Sequence, residues 1–262
     1  MIKKTLCFYF YTTRETLHDE INKIHFECLK HYKMAFNEVI IGISVDDLED
    51  IELISKTQEC FMEIFGGLNI TLTFKTVLNN PILKESLFFH NEIVLKMNNY
   101  DSVLFCHNQC LLYLHGEDIE KLKSWICAMY YLNLYNIPEV MEFLYKNSCS
   151  FTYGPCLITD MSRPEKPRSY YYGGFYWLNT KRILHYWNYN KFPEIYSSEY
   201  AKDFINILGG DETRFGITKK SYYWYSNIEN NQYNCESFLK QILIEETFND
   251  FNNFKKNILY NI

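Results

Sequence analysis

Several features of membrane, phosphate-transferring and nucleic-acid-binding proteins are missing from this 262-residue chain. No uninterrupted apolar run reaches about 18 residues, so no membrane-spanning helix is expected and membrane contact is at most peripheral. Basic residues are not in excess: the net charge of −6 disfavours nucleic acid as a partner, because gripping a phosphate backbone requires a concentrated basic face. The absence of a glycine-rich phosphate loop disfavours a nucleotidyl enzyme that transfers phosphate.

The nine cysteines form neither a metal-binding nor a disulfide framework. No Cys-x-x-Cys occurs, and Cys106 and Cys110 have no second pair at the spacing of a zinc site. Their odd number and irregular spacing favour free, reduced thiols and therefore a cytoplasmic location. The N-terminal apolar run agrees with this prediction, because it is too short for a signal sequence and is soon followed by Arg14 and Glu15.

The apolar pattern predicts an α/β fold. Buried strands are expected at residues 6–11 and 38–45, and a helix with apolar residues at helical spacing lies between them at residues 16–32. Such a strand–helix–strand unit implies parallel strands. The other expected elements are helices at 48–65, 82–97, 118–135, 137–146 and 235–260, strands at 70–77, 100–106 and 222–225, an extended segment at 149–159 and a loop at 160–169. The prediction is a mixed, mostly parallel Rossmann-type sheet flanked by helices, with a C-terminal helical extension.

Polar side chains follow three of the predicted strands at the edge where open α/β sheets bind ligands. They are Thr12, Thr13 and Arg14 after the first strand, Asp46 and Asp47 after the second, and His107, Asn108 and Gln109 after the fourth. Because the carboxyl ends of parallel strands meet at one edge, these residues are candidates for a nucleoside or diphosphate site. For His107, a buried histidine with satisfied hydrogen bonds is an equally good interpretation.

An aromatic segment with paired glycines follows the loop at 160–169, which is either a substrate flap or a plain connector. Gly173 and Gly174 stand where a ligand or another backbone passes closely, or where a buried strand carries a bulge. The segment supplies candidates for an acceptor-binding wall. These are Tyr172, Gly173, Gly174, Phe175 and Trp177.

A second glycine pair at residues 209–210 opens onto two adjacent acids, Asp211 and Glu212. A carboxylate placed this way is suited to act as a general base toward an acceptor hydroxyl. The alternative is a loop in which Asp211 caps a short helix. Glu199 is a rival for the catalytic carboxylate.

Three motifs together resemble small bacterial and viral nucleotide-sugar glycosyltransferases of the fold-A type. In those relatives a strand ends in His-Asn/Thr-Lys-Gly and a later strand reads Tyr-x-Gly-x-Phe-Trp/Tyr-Trp. The matching motifs here are Phe105-Cys106-His107-Asn108-Gln109-Cys110, Trp125-Ile126-Cys127-Ala128-Met129-Tyr130-Tyr131 and Tyr172-Gly173-Gly174-Phe175-Tyr176-Trp177-Leu178-Asn179. Asn79-Asn80-Pro81 with Glu85 is also similar, and the resemblance covers residues 6–216.

The resemblance implies a GT-A-like, hexosyltransferase-like enzyme that moves a sugar from a nucleotide-sugar donor to a glycan or lipid-linked acceptor, in surface polysaccharide biosynthesis. It implies one domain over residues 1–262, with a nucleotide-binding half at 1–110, an acceptor and catalytic half at 111–220, and a C-terminal strand and helix at 221–262. The polar residues at the strand ends then bind the donor, and Asp211, Glu212 or Glu199 is the catalytic carboxylate.

Two departures from the family leave questions open. Relatives hold Mn²⁺ or Mg²⁺ with an Asp-x-Asp motif; this chain lacks that motif, so binding of Mn²⁺ or Mg²⁺ does not follow from the resemblance. Gln109-Cys110 also stands where relatives have Lys-Gly, which removes a cation that would meet the diphosphate. The alternative hypothesis is therefore a catalytically impaired nucleotide-sugar or glycan-binding module with the same fold.

Overall fold

The computed structural model has a β-sheet with helices packed against it, as in an α/β protein. The strands are β1 (Lys4–Tyr11), β2 (Glu38–Val45), β3 (Thr71–Leu78), β4 (Ser102–His107), β5 (Thr152–Tyr153), β6 (Leu157–Asp160), β7 (Arg168–Tyr171) and β8 (Tyr176–Asn179). The helices are α1 (Glu20–His31), α2 (Ile51–Phe65), α3 (Ile119–Leu134), α4 (Ile137–Lys146) and α5 (Glu245–Tyr260), with short 3₁₀ helices at Lys33–Ala35 and Val94–Asn99. The structure describes residues 2–79, 88–89, 91–108, 119–146, 152–154, 157–160, 168–171, 175–181 and 245–262. None of the helices within these ranges combines the length and the apolar character needed to cross a bilayer.

The main sheet has six strands in the order β3-β2-β1-β4-β8-β5. β1 pairs in parallel with both β2 and β4, and β2 pairs in parallel with β3. β8 is antiparallel to its neighbours β4 and β5, so it opposes the direction of the other five strands of this sheet. β6 and β7 form a separate antiparallel pair. The predicted α/β class, with a mixed and mostly parallel sheet flanked by helices, is confirmed.

The first two helices begin and end at residues whose chemistry suits the position. The carboxylate of Asp19 accepts a hydrogen bond from the backbone N–H of Asn22 and so caps α1. Asp50 caps α2 in the same way through the N–H of Leu53. α2 ends where Gly66 N–H donates to the carbonyl of Met62, and the following Gly67 has φ 75°, a conformation that glycine adopts without strain.

The two faces of the sheet are covered differently. The five helices within the described residues pack on one face, against alternate residues of the strands such as Phe8 and Ile41. The opposite face is covered by residues 88–89 and 91–100, where Phe88, Phe89 and Met97 pack on residues such as Tyr9. Strand residues alternate between these two apolar layers, as a sheet buried on both faces requires.

The C-terminal helix α5 returns to the helical layer and packs against α1 and α3. Its buried residues are Phe251, Phe254 and Ile258. Tyr131 of α3 donates from its hydroxyl to the carbonyl of Thr247, at 3.2 Å. The C-terminal extension predicted as helix at 235–260 is confirmed over Glu245–Tyr260.

Some predicted boundaries change. The loop predicted at 160–169 is wrong at both ends, because Asp160 belongs to β6 and Arg168 begins β7. The aromatic strand is divided: β7 pairs with β6, whereas β8 joins the main sheet. The last part of the helix predicted at 82–97 is a 3₁₀ helix, Val94–Asn99. The strand predicted at 222–225 lies outside the described residues.

Candidate functional site

The strand order reverses between β1 and β4, since β2 and β3 extend the sheet on one side of β1 and β4 lies on the other. In open α/β sheets, ligands bind outside the carboxyl ends of the strands at such a point. Here β1 ends at Tyr11 and β4 ends at His107. The structure therefore brings the residues that follow β1, β2 and β4 to one edge, as predicted from the sequence.

A row of hydrogen bonds crosses the carboxyl ends of β1, β2 and β3 and is centred on Asp46. The hydroxyl of Tyr11 donates to Asp46 Oδ2 at 2.8 Å, and Asn79 Nδ2 donates to Asp46 Oδ1 at 2.8 Å. Burial, followed by the hydrogen bond to Asp46, raises the pKa of Tyr11 to about 12, so Tyr11 stays a neutral donor. Asp46 is exposed, and each of its oxygens has a further lone pair available to a ligand hydroxyl or N–H group.

Arg14 is held against the start of α2. Its guanidinium donates to both carboxylate oxygens of Asp50, at 2.8 and 2.9 Å, and lies 3.4 Å from Glu52. The arginine hydrogen bond holds the pKa of Asp50 below its usual value. Asp50 therefore has two roles: it caps α2, and it holds the Arg14 guanidinium in place. Asp47 is exposed nearby and accepts a hydrogen bond from the N–H of Glu49 at 2.8 Å.

The loop between β1 and α1 is closed by its own side chains. Thr13 N–H donates to the hydroxyl oxygen of Thr16 at 2.9 Å, and Thr16 N–H donates to that of Thr13 at 3.2 Å. Leu17 N–H donates to the carbonyl of Thr13. Thr12 is fully buried, and its N–H donates to the carbonyl of Ser44. The N–H groups of Thr12, Thr13, Thr16 and Leu17 are therefore engaged within the protein.

Two histidines lie in the core beneath this edge. His107 is 5% exposed, and its ring is near those of Phe105 and Phe175. His25 of α1 is fully buried, with Nδ1 3.0 Å from the hydroxyl of Tyr130. Burial, and then the nearby His107, lower the pKa of His25 to about 3, so His25 is neutral in the fold.

Asn108 bridges the ends of β1 and β4. Its Oδ1 accepts from Tyr11 N–H at 2.8 Å, and its Nδ2 donates to the Tyr11 carbonyl at 2.8 Å and to Asn22 Oδ1 at 2.9 Å. The side chain is almost fully buried. This amide is thus engaged by the protein itself, and its contacts hold the backbone rather than face a ligand.

The two described members of the predicted acceptor wall lie in the core. Phe175 and Trp177 are fully buried: Phe175 packs on the rings of Trp125 and Tyr130, and Trp177 Nε1 donates to the carbonyl of Asn133 at 3.0 Å. Their positions are those of packing residues, without an accessible face for an acceptor. Tyr172, Gly173, Gly174, Gln109, Glu199, Asp211 and Glu212 lie outside the described residues.

Two basic side chains near this edge, Arg14 and Lys123, are paired with carboxylates. Lys123 of α3 is mostly buried and contacts Glu20 at the start of α1, and its Nζ lies 2.7 Å from Glu120. These carboxylates raise the pKa of Lys123 despite the opposing effect of burial. Within the described ranges, no group of three or more His, Cys, Asp or Glu side chains is placed to hold a metal ion.

Sequence reasoning missed several members of this edge. The apolar pattern predicts Tyr11 as a strand residue, and its position as the last residue of β1 is the available signal for a site residue. Asn22 lies among the apolar residues of α1, where a buried amide requires partners. Asn79 is indicated in the sequence only as part of the Asn79-Asn80-Pro81 motif that resembles the glycosyltransferase family. The Asp50 partner of Arg14 had no sequence signal beyond its place before a helix.

No protein-family profile and no curated protein matches this chain. Among solved structures, it is similar to core-mannan synthase A from Aspergillus fumigatus in its Mn/GDP form, with 13% sequence identity and a TM-score of 0.32. That match covers 80% of this chain and 66% of the other, so the chain spans just under two thirds of that protein's length.

Proposed function

We propose that the protein is a glycosyltransferase that binds a nucleotide-sugar donor at the carboxyl edge of its sheet. The observation that supports this most directly is the Asp46-centred row of hydrogen bonds at the point where the strand order reverses. An exposed carboxylate held between Tyr11 and Asn79 is a suitable acceptor for ribose hydroxyls or a base N–H. The family resemblance of the motifs at β4 and β8 points to the same class of ligand.

The reaction breaks the bond between the anomeric carbon of the sugar and the diphosphate oxygen. A bond then forms from that carbon to a hydroxyl of the glycan or lipid-linked acceptor, and a carboxylate takes the hydroxyl proton. Asp211, Glu212 and Glu199 are the proposed candidates for this base. The departing nucleoside diphosphate keeps the electron pair of the broken bond.

Donor binding is tested by titrating the protein with UDP, GDP and their sugar conjugates while following the melting temperature. A nucleotide at about 100 times its Kd adds about 2.7 kcal/mol of stability, which raises the melting temperature by about 5 °C or more. The Asp46→Asn variant should bind about tenfold more weakly, since it loses a charged acceptor. If no nucleotide shifts the melting temperature, the proposal fails.

The matched control is Asp101→Asn, which also converts an acid to an amide but at the opposite edge of the sheet. Asp101 precedes β4 and accepts from Lys3 N–H at 2.9 Å and from Lys181 Nζ at 2.5 Å. Nucleotide affinity in this variant should equal that of the wild type. Equal loss of affinity in both variants would argue against a nucleotide site at Asp46.

Sugar transfer is tested with the variants Asp211→Asn, Glu212→Gln and Glu199→Gln, each with Mn²⁺, with Mg²⁺ and with a chelator. Loss of the catalytic base lowers the transfer rate by about 10²- to 10⁴-fold while donor affinity is kept. The variant that shows this pattern identifies the base. If wild-type protein transfers no sugar under any of these conditions, the transferase proposal is rejected.

The paired state of Arg14 and Lys123 favours one alternative, a nucleotide-sugar or glycan-binding module without catalysis. Each of these cations already contacts two carboxylates, so neither is set up to neutralise a departing diphosphate. The departure at Gln109-Cys110 points the same way. Nucleotide binding without turnover supports this alternative, and any transfer abolished by a single carboxylate substitution removes it.

A further inference from the structure

The buried amides of Asn108 and Asn22 form a bridge between three elements. Asn108 follows β4 and Asn22 lies in the first turn of α1, and the two are joined by a 2.9 Å hydrogen bond from Asn108 Nδ2 to Asn22 Oδ1. Asn108 also makes two hydrogen bonds to the backbone of Tyr11, and Asn22 Nδ2 donates to the carbonyl of Thr16 at 2.7 Å. The two ends of the β1–α1 loop are thereby attached to one side-chain pair.

The contacts of this pair compensate the burial of its polar groups. Both side chains are essentially inaccessible, so an amide with unmade hydrogen bonds there would cost about 1–3 kcal/mol for each orphaned group. The backbone N–H of Asn22 is used as well, since it donates to Asp19 at 2.7 Å. Such a closed network has one low-energy arrangement, and that property suits a positioning role.

The bridge spans the place where a ligand is expected. It crosses from β4 to β1 at the reversal of strand order, and it holds both ends of the loop that carries Thr13 and Arg14. This loop brings Arg14 within reach of Asp50, which holds its guanidinium, and places the Thr13 hydroxyl beside that of Thr16. Neither Asn108 nor Asn22 is exposed enough to contact a ligand itself.

We propose that Asn108 and Asn22 are positioning residues, which fix the β1–α1 loop in the conformation that the nucleotide site requires. The expected effect on nucleotide affinity rests on the proposed donor site. The structural content of the inference, the restraint of the loop by the two amides, is testable without any ligand.

The experiment compares the variants Asn108→Leu and Asn22→Ala with the wild type in two measurements. Amide hydrogen exchange at residues 11–17, referenced to β2, should accelerate about tenfold or more, because Tyr11 N–H or the Thr16 carbonyl loses its partner. The Kd for UDP or GDP should rise about tenfold or more. Asn22→Ala leaves the hydrogen bonds from Asn108 to Tyr11 in place, so it remains informative if Asn108→Leu does not fold.

The matched control is Asn179→Leu, a change of another buried amide. Asn179 Nδ2 donates to the carbonyl of Leu144 at 3.0 Å, and Asn179 pairs with Ser102 at the amino end of β4. This variant should lower the melting temperature yet leave nucleotide Kd and exchange at residues 11–17 unchanged. A general loss of packing, in contrast, would affect all three variants alike and would overturn the inference.

The two proposals fail separately. If the wild type binds neither UDP nor GDP, the donor site is rejected, and the exchange comparison alone decides whether the two asparagines restrain the loop. If a nucleotide binds but exchange and Kd in both bridge variants match the wild type, the positioning role is rejected while the donor site stands.

Discussion

At the scale of residues, the burial of His25 makes the fold sensitive to acid. His25 lies in the core among Phe8, Tyr130 and Phe175, and Nε2 has no hydrogen-bond partner among the described residues. Its pKa is lowered from 6.5 to about 3 by burial and then by His107. Between these pH values the unfolded chain binds the proton and the fold does not. The free energy of unfolding therefore falls on acidification, by up to about 1.4 kcal/mol per pH unit.

The His25→Asn variant should have a shallower loss of stability in acid. Asparagine does not titrate and places a polar atom close to the position of Nδ1, although the smaller side chain lowers stability at neutral pH. The measurement is urea unfolding at a series of pH values from about 7 to about 4.5. His18→Asn is the control, because His18 is exposed on the loop before α1. A slope that is equal in wild type and His25→Asn would show that another group causes the acid sensitivity.

At the scale of elements, β2 is fitted to the segment that covers it. Gly42 has no side chain, and the ring of Phe88 occupies that space: a β-carbon built on Gly42 would lie 2.6–2.8 Å from three ring atoms of Phe88. Tyr9 on the neighbouring β1 lies beside the same ring, with centroids 5.9 Å apart. Gly42→Ala should therefore destabilise the fold by about 1–3 kcal/mol through overpacking.

A second substitution, at Phe88, distinguishes the steric clash with this ring from other effects of the added alanine methyl group. In the double variant Gly42→Ala with Phe88→Leu, the smaller side chain leaves room, so the two changes together should cost less than the sum of the single changes. Gly67→Ala is the control: it is strained by φ 75° and has no atom within 4 Å of its β-carbon. Its cost should not depend on residue 88. Additive effects of Gly42→Ala and Phe88→Leu in urea unfolding would contradict the contact.

Local pattern was enough to predict the first four strands and the first two helices, but not the 3₁₀ helix Val94–Asn99 at the end of the helix predicted at 82–97. β1, β2, β3 and β4 are short apolar runs, and α1 and α2 have apolar spacing and an acidic cap. The division of the aromatic segment into β7 and β8 was not predictable in this way. The alternation of apolar residues predicts a strand but not the strand with which it pairs. Here β8 pairs with β4, which is distant in the sequence.

At the scale of the molecule, the candidate site depends on register between strands. Asp46 meets Tyr11 and Asn79 because Tyr11 pairs with Ser44 and Leu78 with Val45, which brings the three strand ends level. The sequence predicted that Asp46 follows a strand. Its hydrogen bonds to Tyr11 and Asn79 could be predicted only with the register of β2 against β1 and β3. In the same way, the bridge from Asn108 to Asn22 joins residues 86 positions apart, a separation that local patterns do not report.

The C-terminal helix α5 also depends on contacts between distant parts of the chain, because it packs on α1 and α3 in the helical layer. Phe254 packs on the rings of His31, Tyr32 and Tyr131, with centroids 5.0, 5.4 and 5.6 Å away. Truncation of a buried phenylalanine costs about 3–5 kcal/mol. Phe254→Ala should therefore lower the melting temperature of the whole molecule.

The test is urea unfolding followed by far-UV circular dichroism and by tryptophan fluorescence, which report the helices and the core respectively. If α5 is an integral part of the core, both signals should shift together to lower urea in Phe254→Ala. Tyr260→Ala is the control within the same helix; Tyr260 is 89% exposed, and its loss should change stability by less than about 0.5 kcal/mol. A Phe254→Ala effect limited to faster hydrogen exchange within residues 245–262 would instead mean that α5 unfolds independently of the sheet and its other helices.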